Sequence, residues 1–412
     1  MGSAALSHLR ICDFTGQLAG AGATRHLAAL GAEVIRIEDP ARRGRWDILR
    51  GAPPFKDERR GNEFGSAFQN HNVAKLGITI NMRTERGKEL FSELVAISDA
   101  VTENFAAGVV ARMGFGYEQL KAIRSDIIYV SNCGFGHTGP YHEFKSWGPI
   151  AQAVGGLTFT SGLAGQPPAG WGYSYMDHHG GYFMCLGILA ALCHRQRTGE
   201  GQWVDMSCSE AGAALLGPAV LDYTVNGRPS RREGFPDSNR DATATMAPHG
   251  IYATAGVDNW IAIACRDDTE WVSLAATIDQ PWAQSAALAT LAGRLEHQDP
   301  LDADLDRWTR SQDRHQLAAQ LQELAIPAAA VARPGERIDE DPSSEAWGLW
   351  PLVNHAAMGE VRVDGLPVHF SQTDWVIDRA APLLGADNDY VFGEILGLTG
   401  AEIGTLHQEG VI

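Results

Sequence analysis

Short β-branched runs alternate with stretches of helical period through the first third of the chain. LRICDFTG reads as a strand. A Gly- and Ala-rich turn through Gln17, Gly20 and Gly22 then leads into a helix ending near Leu30, and AEVIRIE is a second strand closing at Glu38. The rhythm continues with GITIN (residues 77–81), a helix from Thr84 to about Ile97 with Thr84 as its N-cap, and DAVTENF (99–105). A helix over 117–124 and the strand DIIYVSNCG (126–134) follow. Strands alternating with amphipathic helices predict parallel βαβ units, so the N-terminal part is expected to be an α/β, Rossmann-like, doubly wound domain.

Residues 134–177 are rich in Gly, Pro and aromatics, as binding loops of compact enzymes are. A largely apolar helix from about His178 to Arg197, the strand GQWVDMSCS and an Ala-rich helix from Glu210 to about Tyr223 follow. Val225–Thr245 has linker composition. Beyond it, GIYATAGVDNWIAIAC reads as a hairpin followed by helices to about Leu324, a smaller α+β unit. The expected organisation is a large domain over 1–225, a linker and small domain over 226–334, and a C-terminal segment over 335–412 that returns to the large domain.

Charge narrows the function classes. The 412 residues carry 33 Lys and Arg against 50 Asp and Glu, a net charge of −17, which excludes a general nucleic-acid or anionic-membrane binder. The deficit is uneven. Residues 1–150 hold 18 basic and 16 acidic side chains, a net of +2, leaving −19 for the remainder. An anionic ligand is therefore expected on the N-terminal part. The six cysteines are scattered without a C-x-x-C pair and read as thiols of a reducing cytoplasm, with no metal site. The longest apolar stretch, residues 180–193, is shorter than the ~20 residues needed to span a bilayer.

Candidate chemistry gathers at three places. GAGAT (20–24) suggests a dinucleotide turn, but Arg25 stands where the third glycine belongs, so the fingerprint fails; Glu38 could still hold a ribose. Arg36, Arg42, Arg43, Arg45 and Arg50 form one basic cluster, and Arg83, Arg86 and Lys88 another. Both suit a polyphosphate, and each alone also reads as a solvated face. Asp177 precedes the apolar helix, where position alone reads as an ordinary N-cap; its setting between tyrosines and a Gly-Gly pair, behind a long glycine and aromatic loop, sets it apart.

Five segments in order carry a resemblance. DFTGQLAGAGATRHLAALGAEVIRIE, TERGKELFSELVAISDAVTENFAAGVVARMGFGYEQL, SNCGFGHTGPY, the Asp177 helix with its following RQRTGEGQWVDM, and PLLGADNDYVFGEILGLTGAEIGTLHQEGVI together resemble the family III CoA-transferases, the formyl-CoA:oxalate and carnitine CoA-transferase group. The resemblance implies that fold, an interlocked homodimer, acyl-CoA and carboxylic acid substrates with succinyl-CoA as a donor, and no prosthetic group. It also implies a mechanism through a mixed anhydride and an aspartyl-CoA thioester. By position it makes Asp177 the nucleophile and Gln17 its catalytic companion, and it places Arg83, Ile80, Asn104, Phe105, Arg112 and Lys145 at the CoA site. Two positions depart from the family pattern: Gly148 replaces an acid that often follows the aromatic residue, and Asp39 replaces a base. Two other readings compete, an α-methylacyl-CoA racemase-like enzyme and a CoA-binding subunit of a hetero-oligomeric transferase. The racemase histidine would fall at Trp147, although His178 and His179 adjoin Asp177. Trp147, Trp171, Tyr173 and Tyr175 are expected to flank the acyl group.

Overall fold

The alternating runs of the N-terminal half form one six-stranded parallel sheet. The computed structural model describes residues 4–162, 166–170, 172–230, 240 and 245–412. In chain order the elements are β1 (Arg10–Asp13), α1 (Ala19–Ala29), β2 (Glu33–Glu38), α2 (Ser66–His71), β3 (Leu76–Thr79), α3 (Glu85–Ala96) and β4 (Ala100–Glu103). They continue with α4 (Val109–Arg112), α5 (Tyr117–Ile123), β5 (Ile128–Cys133), α6 (Gly148–Val154), α7 (Tyr175–Thr198), β6 (Trp203–Ser207) and α8 (Cys208–Ala214). The strand order is β3-β2-β1-β4-β5-β6, with β1 paired to β2 (Ile11 opposite Val34) and to β4 (Ile11 opposite Ala100). This is the doubly wound order, and it reverses direction between β1 and β4, where such sheets bind ligands outside the strands' C-terminal ends.

Both faces of the sheet are covered, which is why its strands are nearly continuous apolar runs. Cys12, Ile35, Ile37, Ile78, Val101 and Tyr129 face a core with Leu90, Phe91, Leu94 and Val95 of α3 and Leu120 of α5. Ile11, Val34, Ala100, Ile128 and Val130 face Ala23 and Leu27 of α1 and Met184, Ile188 and Ala191 of α7. Thr84 caps α3 as expected, accepting from Gly87 N at 3.0 Å.

Two local expectations are corrected. Gly20 and Gly22 lie inside α1 and not in a turn before it. Gly20 is there for close approach: a Cβ would sit 2.5 Å from Thr15 Cβ and 2.7 Å from Asn104 Cγ. The helix expected over 210–223 is two, α8 and α9 (Pro218–Asn226), because Pro218 has no amide hydrogen to continue the first and is tolerated only at a helix start.

The chain divides into two compact units. The larger comprises residues 1–158, 170–217 and 343–412, and the smaller comprises 159–169 and 218–342, so the cuts fall at 217 and 342 where the sequence suggested 225 and 334. The C-terminal segment belongs to the larger unit. There it closes the edge strand β3: Gly77 N donates to Asp387 Oδ2 (2.7 Å) and Thr79 N to Asn388 Oδ1 (2.9 Å), leaving that edge unavailable for further pairing. The smaller unit holds an antiparallel sheet, β7 (His249–Ala253), β8 (Trp260–Ala264) and β9 (Ala328–Ala330), in that order. It packs on α10 (Asp268–Ile278), α11 (Leu291–Glu296), α12 (Gln298–Thr309) and α13 (Arg314–Glu323), around Ile261, Ile263, Trp271, Leu305 and Leu321. The linker 225–245 lies largely outside the described residues. Among the described residues no helix is long and apolar enough to cross a membrane.

Candidate active site

Past the end of β1 the backbone is held in an unusual shape. Asp13 is fully buried and accepts from Thr15 N (3.0 Å), Thr24 Oγ1 (2.8 Å), Thr102 Oγ1 (2.9 Å) and Lys75 Nζ (3.2 Å). Burial alone would push its carboxyl up, but the Lys75 and Arg36 charges and the Thr15 hydrogen bonds outweigh burial and hold it below its ordinary range. Next in the chain, Gly16 and Asn104 exchange two hydrogen bonds, Gly16 N to Oδ1 (2.7 Å) and Nδ2 to Gly16 O (2.9 Å). Gln17 N donates to Asp47 Oδ2 (3.1 Å), and the buried Arg36 guanidinium grips the same carboxylate oxygen at 2.7 Å and also reaches the Thr15 carbonyl. These contacts hold Gln17 at φ +56°, a left-handed conformation that non-glycine residues adopt at a cost.

Gln17 faces a cleft of about 510 Å³ in the larger unit. Asn104, Phe105, Lys145 and Asp177 share its lining, so five of the eight expected site residues meet there. Arg42, Arg45, Trp46, Cys133, Trp147 and Cys208 also line it. Arg45 was legible as part of a basic cluster. Asp47, which fixes Gln17, gave no sequence signal as a site residue, and neither did Trp46, Cys133 and Cys208.

Asp177 is not the N-cap. Ser174 holds that place, and Asp177 is the third residue of α7, half-buried at the cleft wall. Burial pushes its carboxyl up to about 6, against an opposing hydrogen bond from Ser174. Its carboxylate lies against Gly148 so closely that a Cβ at 148 would sit 2.8 Å from Oδ2 and 2.9 Å from Cγ. The acid missing from position 148 is thus also an acid for which this cleft has no room.

The other expected residues are placed elsewhere. Ile80 is a core residue, 1% exposed, and its side chain has no free face. Arg83 is exposed and pairs with Asp39 (3.6 Å), which Arg42 also approaches (3.8 Å), so Asp39 draws two arginines together. Arg112 is exposed and reaches the carbonyl of Ala107, a lining residue (3.4 Å). Two arginines of the expected basic cluster are removed from the surface. Arg50 binds Glu38 (2.9 and 3.0 Å) and Glu63 (2.8 Å), Arg36 approaches Glu38 at 3.5 Å, and Glu38 has no free oxygen for a ribose. Tyr173 and Tyr175 turn to the neighbouring histidines, with Tyr173 Oη 2.6 Å from His178 Nε2 and Tyr175 Oη 2.5 Å from His179 Nε2. Neither tyrosine nor either histidine lines the cleft. Trp171 lies outside the described residues.

A half-buried carboxylate that shares a cleft with a side-chain amide, in a lining whose other charges are cationic, is a site for acyl chemistry on an anionic ligand. The profile of the family described as CoA-transferase family III matches residues 6–388. This chain belongs to that family. It is 32% identical to the succinyl-CoA–D-citramalate CoA-transferase of Chloroflexus aurantiacus, over 99% of this chain and 98% of that one. It is 31% identical to the succinyl-CoA:mesaconate CoA-transferase of Haloarcula marismortui, over 98% and 99%. A solved CAIB/BAIF family protein from Brucella suis superposes with a TM-score of 0.85 at 29% identity, covering 96% of this chain and 100% of its own. The chain is therefore a CoA-transferase, and CoA thioesters are its substrates.

Proposed function

We propose that this transferase moves CoA from succinyl-CoA to a free carboxylic acid, with Asp177 as the covalent relay. The observation that carries the reading is the Asp177 carboxylate, set in the cleft wall with Gln17 and the cations Arg42, Arg45 and Lys145. An Asp177 oxygen attacks the thioester carbonyl, the C–S bond breaks, and a mixed anhydride and CoA thiolate result. The thiolate attacks the aspartyl carbonyl, releasing succinate and leaving an aspartyl-CoA thioester. The acceptor carboxylate attacks that thioester, and the expelled thiolate attacks the acceptor's carbonyl in the new anhydride, freeing Asp177. No proton is consumed, and a carboxylate relay keeps the acyl energy because its intermediates match the substrates in type.

The Gln17 amide stabilises the oxyanions, aided by backbone N–H groups of the cleft. Lys145, Arg42 and Arg45, with Arg83 and Arg112 at the margin, neutralise the CoA phosphates. Phe105 and Trp46, whose rings lie 5.3 Å apart, supply an apolar wall. Ile80 acts from within the core, and Asn104 acts through its grip on Gly16. The names of the relatives support succinyl-CoA as donor. Family membership supports an interlocked homodimer in which residues 1–225 bind CoA, and the exposed Tyr182, Phe183 and Leu186 of α7 suit such a contact. The unpaired cysteines suit a cytoplasmic location. Racemisation is disfavoured because Trp147 cannot exchange a proton and His178 and His179 turn away from the cleft.

Asp177→Ala should abolish transfer while leaving CoA binding intact. Incubation of the native enzyme with succinyl-CoA and hydroxylamine should place a hydroxamate on Asp177, read by peptide mass spectrometry. Full transfer activity in the variant would refute the relay.

A further inference from the structure

Behind the cleft wall, at the C-terminal ends of β4, β5 and β6, one imidazole joins three strands. His137 Nδ1 lies 3.0 Å from Asp205 Oδ1, and the His137 backbone N–H donates to both oxygens of that carboxylate (3.1 and 2.9 Å). On its other side, His137 Nε2 faces Glu103 Oε1 at 3.6 Å. Glu103 accepts from Tyr129 Oη (3.0 Å) and from Phe105 N (2.7 Å). Cys133 Sγ is 3.8 Å from Nδ1, and the Trp203 ring closes the remaining side edge-on at 5.5 Å. The imidazole is 8% exposed and Glu103 2%. The proposed transfer steps use none of these groups.

The cluster sits where two pieces of the cleft begin. Phe105, whose amide Glu103 holds, lines the cleft. So do Lys145, Ser146 and Trp147, at the end of a loop that leaves β5 and runs without regular structure to α6. Gly134, at the start of that loop, accepts from Ser209 N in the first turn of α8 (2.9 Å). Beyond His137 the loop's hydrogen bonds are internal, His142 Nδ1 with Gly139 O (2.8 Å) and Phe144 N to Tyr141 O (2.9 Å). A cluster of two acids and a histidine, with Glu103 and His137 buried and Asp205 partly exposed, is weak evidence for stability in itself, because desolvation offsets the attraction. Its place at the root of both pieces gives it a use.

We propose that His137 is a positioning residue for CoA transfer, bridging Asp205 and Glu103 so that the loop carrying Lys145 and Trp147 is fixed relative to Phe105 across the cleft. The inference rests on CoA occupying this cleft. His137→Ala removes the bridge. His137→Gln keeps an N–H for Asp205 and is the conservative variant.

Two measurements on the full-length enzyme test it. Hydrogen–deuterium exchange over residues 135–147 should quicken in H137A and return to the native rate in H137Q. Calorimetric titration with free CoA should show binding weakened about tenfold in H137A, the scale of one hydrogen bond, and restored in H137Q. Unchanged exchange, or H137A binding CoA as tightly as the native enzyme while Lys145→Ala binds it more weakly, would overturn the positioning role and leave the cleft assignment standing. If neither H137A nor K145A weakened binding, the placement of CoA would fall, and the positioning role with it.

Discussion

A methyl group at position 148 and the Asp177 carboxylate would compete for the same space, with Cβ only 2.8 Å from Oδ2. Gly148→Ala should therefore displace the carboxylate rather than unfold the protein, since Asp177 is only half-buried and can swing toward the cleft. A displacement of about 1 Å at a reacting atom costs on the order of 10²-fold in rate, so kcat should fall by about that factor with little change in melting temperature. A large loss of stability at undiminished kcat would count against it. Protonation acts at the same carboxylate. Burial raises Asp177 to about 6, and the proposed relay attacks as the anion, so kcat/KM should rise with pH to a plateau above about 7, its acid limb centred near 6. A limb near the ordinary carboxylate value of 3.8 would show that the site is wetter than its geometry implies. In the sequence, Asp177 stood out by its setting among tyrosines and glycines, and family resemblance supplied its role as nucleophile. Read physically, position 177 looked like an N-cap, because nothing in a linear chain says that α7 begins at Tyr175 or that Gly148 will pack beneath its third residue.

At the scale of elements, the parallel sheet was legible and its polar interior was not. Strands buried on both faces are short apolar runs, and LRICDF, EVIRIE and DIIYVSNC announced themselves as such. Arg36 and Arg50 looked like surface cations because their partners Asp47, Glu38 and Glu63 meet them only in the fold. The glycines of GAGAT likewise suggested a turn, whereas Gly20 serves close packing inside α1. The same loop is where an element shapes the chemistry. Asn104, from the end of β4, supplies both hydrogen bonds that fix Gly16 beside the strained Gln17. Asn104→Ala should free that turn to relax, lowering kcat about 10- to 100-fold and stability by ~1–3 kcal/mol as the Gly16 groups lose their partners. Asn104→Asp keeps the acceptor for Gly16 N and should recover part of both. Comparable kcat values in all three proteins would mean that Gln17 holds its conformation without help.

For the whole molecule, the net charge of −17 first suggested an aversion to anions, but the cleft's cations Arg42, Arg45 and Lys145 all come from the near-neutral segment 1–150. Burial, more than net charge, decides which acids govern stability. Glu103 is the clearest case: burial, with the nearby Asp205 adding to it, pushes its carboxyl from 4.5 up to about 7, although Phe105 N and Tyr129 Oη oppose the shift and His137 faces it. A carboxyl raised on folding binds its proton more tightly in the native state, so its contribution to stability is complete below about pH 4.5 and is lost as pH climbs through 7. The loss amounts to up to about 3 kcal/mol, at 1.36 kcal/mol for each pKa unit. Glu103→Gln keeps a carbonyl oxygen for Phe105 N and removes the titration. The stability difference between E103Q and the native enzyme, from urea unfolding at intervals between pH 5 and 8, should therefore shift in favour of the variant as pH rises. Taking the difference cancels titrations that Glu103 does not touch, such as those of Asp177 and Lys75. A difference independent of pH would show that Glu103 ionises as freely in the folded chain as in the unfolded one, and that the cluster around His137 is open to water.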